Sequence, residues 1–73
     1  MWIEGTIGAY TYSAKVYGRG SVFGIDGGRI SKLSIRKSGK IVYNYDRGLD
    51  FDNLDTEGRS VYDEILAKYK EEV

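Results

Sequence analysis

Single-residue alternation of apolar and polar side chains runs, with breaks, from Met1 to Tyr45; after Thr56 the apolar residues recur every third or fourth position. The first pattern belongs to half-buried strands and the second to an amphipathic helix. From Met1 to Ile7, Trp2, Glu4 and Thr6 fall on one side and Ile3, Gly5 and Ile7 on the other. Gly8-Ala9 reads as a tight turn into Tyr10–Tyr17, where Tyr10, Tyr12, Ala14 and Val16 alternate with Thr11, Ser13, Lys15 and Tyr17. Together these segments predict an antiparallel hairpin. Gly5 is costly inside a strand unless it marks a bulge or a close approach. The third strand follows Gly27-Gly28-Arg29-Ile30, with Leu33 and Ile35 facing one way and Lys32, Ser34 and Arg36 the other. Lys37 to Lys40 is a polar turn. Ile41 to Tyr45 is the fourth strand, with Ile41, Tyr43 and Tyr45 opposed to Val42 and Asn44.

The joining segments are of two kinds. Gly18 to Gly28 holds five glycines and reads as a loop, but Val22, Phe23 and Ile25 are too apolar for a linker. They are expected to fold back over a sheet edge. Asp46-Arg47-Gly48 breaks the fourth strand. Leu49 to Asp55 reads as irregular and acidic, with Phe51 and Leu54 as anchors to the core. Asp55 or Thr56 then caps a helix reaching to about Glu72, with acids in its first turns where the dipole favours them. Its inward residues are Val61, Tyr62, Ile65, Leu66, Tyr69 and Val73.

The predicted fold class is α+β: a four-stranded antiparallel meander with a C-terminal helix packed on one face, in the order ββββα. It is one domain over residues 1–73. The helix-covered face is expected to hold Ile3, Ile7, Tyr10, Tyr12, Ala14, Val16, Leu33, Ile35, Ile41 and Tyr43. The open face then holds Trp2, Lys15, Tyr17, Lys32, Arg36 and Asn44. A register slip of one residue would exchange a strand's faces.

Composition narrows the chemistry. The chain has no cysteine and no histidine. It therefore lacks disulfides, thiolate metal ligands and the commonest general base near neutral pH. Its serines have no histidine to activate them. Asp50 to Glu57 is rich in acids but fails the calcium-loop pattern, with Leu54 where a ligand belongs and Asp55 where glycine is needed. The glycine-rich loop lacks the phosphate-loop signature and a following helix. No enzyme activity, cofactor or metal is expected. No apolar run approaches the roughly 20 residues of a membrane span. No signal peptide is visible, so a cytoplasmic protein without a membrane partner is expected.

Charge is balanced overall but divided along the chain. Residues 1–45 carry seven basic side chains and two acids, and residues 46–73 carry four basic side chains and nine acids. Attraction between the halves would hold the fold together. Two surfaces stand out for partners. The open face and the loop beside it offer Trp2, Lys15, Tyr17, Arg19, Phe23, Lys32 and Arg36. Such aromatic anchors among cations suit a protein partner and, as the alternative, a nucleic-acid strand. The rival surface is acidic: Asp46, Asp50, Asp52, Asp55 and Glu57, whose spaced carboxylates could imitate a phosphate backbone.

Four stretches carry a resemblance: Trp2-Ile3-Glu4-Gly5, Ala14-Lys15-Val16-Tyr17, Gly24-Ile25-Asp26-Gly27-Gly28-Arg29-Ile30-Ser31-Lys32-Leu33 and Tyr45-Asp46-Arg47-Gly48. Over roughly residues 2–50 the chain resembles a family of small proteins of unknown function encoded in phages, prophages and gut bacteria. The resemblance carries no site residues. It implies a mobile-element origin and a bacterial host. It further implies a non-catalytic module that binds a host or phage protein, such as an inhibitor of CRISPR effectors or another defence system.

Overall fold

The structure, a computed structural model, describes residues 1–69. Five strands precede one helix: β1 (Trp2–Ile7), β2 (Tyr10–Val16), β3 (Ile30–Lys37), β4 (Lys40–Asp46), β5 (Leu49–Asp52) and α1 (Thr56–Lys68). The strands lie side by side in chain order, each antiparallel to the last. The fold is α+β as expected, but the sheet has five strands and not four. Leu49 to Asp52, expected to be irregular, pairs with β4. Its alternation of Leu49 and Phe51 with Asp50 and Asp52 is masked by two acids in four residues, and all four residues are exposed. Charges on an outer strand discourage pairing with another chain.

The covered face matches the period-two reading closely. Tyr10, Tyr12, Ala14, Val16, Leu33, Ile35 and Tyr43 are buried there, with Ile3 and Ile7 half-buried. From α1, Val61 and Ile65 bury themselves against this face, and Tyr62, Leu66 and Tyr69 pack at its margins. Tyr43 and Tyr62 meet with ring centroids 5.0 Å apart and planes tilted by 54°. Gly5 is a close approach: a Cβ there would lie 2.5 Å from Cζ of Tyr12, whose ring crosses the strand. The helix starts at Asp55, whose carboxylate accepts from the Gly58 amide at 2.7 Å and from the Tyr10 hydroxyl at 2.8 Å. Lys37 stands 3.6 Å from the same carboxylate. The expected end of the helix near Glu72, and Val73 with it, lie outside the described residues.

Three bulges break the register, each with one residue that opposes nothing. Ser31 is extra between Lys15↔Lys32 and Val16↔Ile30. Val42 is extra between Ile35↔Tyr43 and Arg36↔Ile41. Asp50 is extra between Asn44↔Phe51 and Tyr45↔Leu49. A bulge turns the strand beyond it and re-aims its side chains. This is why Ile41, expected in the core, stands opposite Arg36 on the open face and is 44% exposed. Phe51, expected as a core anchor, likewise lies opposite Asn44 and is exposed, whereas Leu54 does pack against the core.

The glycine-rich loop also departs from expectation. Of its three apolar residues only Ile25 is buried; Val22 is 90% exposed and Phe23 is exposed as well. Ile25 opens a short 3-10 turn ending at Gly27, closed by Gly27 N–H to Gly24 O and Gly28 N–H to Ile25 O. Gly24 is pressed so close to the Gly28 carbonyl that any side chain there would collide with it. That closure spends the loop's length on itself and leaves Val22 and Phe23 outside. The Tyr45 hydroxyl donates to Phe23 O at 3.1 Å, tying the loop to β4.

Candidate functional site

Pairing across the strands sets Trp2, Lys15, Lys32 and Asp46 in one row on the open face. The next row holds Glu4, Ser13, Ser34, Asn44 and Phe51. The third holds Thr6, Thr11, Arg36 and Ile41. Ser34 Oγ donates to Asn44 Oδ1 at 2.8 Å, and Asn44 Nδ2 donates to Asp50 at 3.0 Å. The face is therefore not simply basic. Lys15, Lys32 and Arg36 stand among Glu4, Asp46 and Asp50, and Lys32 lies 3.6 Å from Asp46. Three large apolar side chains remain exposed on it: Trp2 at 58%, Phe51 at 46% and Ile41 at 44%.

The residues expected at the site divide into two groups. Trp2, Lys15, Lys32 and Arg36 lie on the open face, with Arg36 two rows from Trp2. Tyr17, Arg19 and Phe23 line a cleft of about 680 Å³ beyond the end of β2. Tyr17 joins the groups: the Lys15 ammonium sits 5.5 Å from its ring centroid. Lys15, by hydrogen bonding and then by charge, holds the Tyr17 hydroxyl below the usual phenol range.

The five acids of the rival surface are not one patch. Asp46 and Asp50 belong to the open face, whereas Asp52 pairs with Tyr43 of the covered side and receives Arg59 at 2.7 Å. Asp55 caps the helix, and Glu57 is exposed in its first turn. The Arg59 hydrogen bond holds Asp52 below the usual carboxylate range. The Gly58 amide, and after it Tyr10, does the same for Asp55.

Ser21, Ser31 and Arg47 also line the cleft, and the alternation pattern gave no sign of them. Ser31 reaches it because it is the extra residue of a bulge, and period-two reading has no place for such a residue. Arg47 sits at φ 58° in the β4–β5 turn, and its amide donates to Ser31 O at 2.8 Å. The only signal was the break at Asp46-Arg47-Gly48, which says that the chain turns but not what the turn touches.

No helix among the described residues is long and apolar enough to cross a membrane. No curated protein matches the chain, and no solved structure does. What matches is a description that names neither an activity nor a phage: residues 1–70 fit the Domain of unknown function (DUF7678), and the chain belongs to that family.

Proposed function

We propose that the chain is a non-catalytic binding module that docks a partner protein on the open face of its sheet. The observation that carries this is the set of large apolar side chains left in water there, with Trp2 foremost. A single helix covers one face of a small sheet, and the other must meet solvent or a partner. Trp2 and Phe51 are rigid anchors of the kind that dominate binding energy, and the interleaved charges of both signs give register and specificity. A nucleic-acid strand is the weaker reading for this face, since Glu4, Asp46 and Asp50 offset its cations and phosphate binding draws on net positive charge.

The resemblance to proteins of phages and prophages extends the proposal to the class of partner. That partner is a host protein in the bacterial cytoplasm, blocked by occupancy, with a defence effector as the specific case. The test is affinity capture from a bacterial lysate with nuclease present, followed by a titration against the captured protein. Trp2→Ala with Arg36→Ala should weaken binding at least about tenfold, or about 1.4 kcal/mol, while leaving the melting temperature near wild type. Capture that succeeds only when nuclease is left out, or binding unchanged by this pair of substitutions, would refute the reading.

A further inference from the structure

The cleft beyond β2 adjoins the open face at Tyr17 but is built differently. Its size falls in the range of small-molecule sites, roughly 300–1,000 Å³, at about 680 Å³. Two guanidinium groups, Arg19 and Arg47, line it, and among the described residues no carboxylate does. Arg19 makes no ion pair among the described residues. Arg47 has only a loose contact, its Nε 3.7 Å from Asp46. Tyr17 and Phe23, both exposed, give the cleft aromatic walls.

Its backbone is also unspent. Tyr17 N–H donates to Arg29 O and Ser21 N–H to Gly28 O, but among the described residues no backbone carbonyl accepts from Gly18, Arg19 or Gly20. Free backbone amides are donors that an anion can take. On the other side lies Ser31, only 2% exposed, whose Oγ has no hydrogen-bond partner among the described residues. A buried hydroxyl without a partner costs free energy unless something else uses it. Arg47 adds a second cost by holding the left-handed conformation, where a bulky residue is disfavoured. Strain of this kind gathers at ligand clamps.

We infer that this cleft binds a mononucleotide. The Gly18–Gly20 segment, Arg19 and Arg47 take its phosphate group, and Tyr17 and Phe23 take its base. Planar guanidinium groups match phosphate oxygens in pairs, and a flat base has π-faces for tyrosine and phenylalanine. The inference stands apart from the docking surface, because it concerns a small ligand and needs no partner protein.

The test is amide-resolved NMR titration of the protein with adenosine monophosphate, adenosine, inorganic phosphate and a short single-stranded oligonucleotide. Adenosine monophosphate should shift the amides of Gly18, Gly20, Ser21 and Arg47 saturably, and adenosine should bind at least about tenfold more weakly. Arg19→Gln with Arg47→Asn should raise the dissociation constant at least about tenfold. Asparagine tolerates the left-handed region, so the fold should be kept. Ser31→Ala should lower affinity without loss of stability; a hydroxyl of purely structural consequence would leave affinity unchanged. The inference is overturned if the nucleotide causes no localised shifts, or if the arginine pair leaves affinity intact. Inorganic phosphate binding as tightly as the nucleotide would overturn it too, as would an oligonucleotide binding about tenfold tighter than the mononucleotide.

Discussion

Gly5 shows how much one missing atom decides. Tyr12 is buried, and its ring occupies the space that a Cβ at position 5 would take, 2.5 Å from Cζ. Because the ring is packed, it cannot swing clear without disturbing the core. Gly5→Ala is therefore expected to destabilise the fold by about 1–3 kcal/mol, the usual cost of overpacking. Urea unfolding would measure it. The cost should shrink when Tyr12 is shortened to Val, since the collision goes with the ring. Asp55 works the other way, by gathering partners: its carboxylate takes the Gly58 amide, the Tyr10 hydroxyl and the Lys37 ammonium. The sequence offered Asp55 or Thr56 as the cap, and the structure uses Asp55. The sequence could not mark the reach to Tyr10, which rests on how α1 lies across the sheet.

At the scale of elements, what was legible depended on how purely each period was kept. β2 alternates throughout and β3 does so from Lys32 onward, and there the core residues fall where period two puts them; Ile30 is buried out of step because Ser31 is extra. β5 is hidden from a periodicity reading because Asp50 and Asp52 give a strand the look of a solvated run. Ile41 was misplaced because an inserted residue, Val42, is invisible to a periodicity. The cleft was half legible for a similar reason: Tyr17, Arg19 and Phe23 stood out as aromatic or basic beside glycines, but Ser31 and Arg47 enter through a bulge and a turn. The helix was legible because Val61 and Ile65 keep helical spacing and both are buried. Ile65 is fully buried, so Ile65→Asp should unfold the domain. An unpaired buried charge costs several kcal/mol, on the order of the whole stability of a small domain. A cooperative thermal melt near that of the wild type would contradict the packing described for α1.

For the molecule as a whole, charge sets the pH range of stability. The two chain halves do attract each other, through Lys32 with Asp46 and Lys37 with Asp55. Asp52 and Asp55 titrate below their ordinary range in the fold, held by Arg59 and by the Gly58 amide respectively. Their contribution is complete above the unfolded carboxylate value, about 3.9, and is lost as pH falls through the lower folded values. At the other end, burial raises Tyr12, Tyr43 and Tyr62, and the Asp55 hydrogen bond raises Tyr10. These groups stabilise the fold below about pH 10, and that stability is lost as pH rises through their folded values. Tyr17 opposes this trend alone. With no histidine in the chain, melting temperature should be flat from about pH 5 to 9 and fall on both sides. Asp52→Asn with Asp55→Asn should flatten the acid limb and leave the alkaline limb in place. The strand order carries one more consequence. Every strand pairs with its sequence neighbour, so the sheet can grow hairpin by hairpin from local closures. The Tyr10–Asp55 bond instead joins residues 45 apart, and such a closure is made only after the chain between has found its place. The helix would then dock late, as a latch on a finished sheet. Tyr10→Phe should speed unfolding and leave the folding rate almost unchanged, which stopped-flow chevrons would read directly.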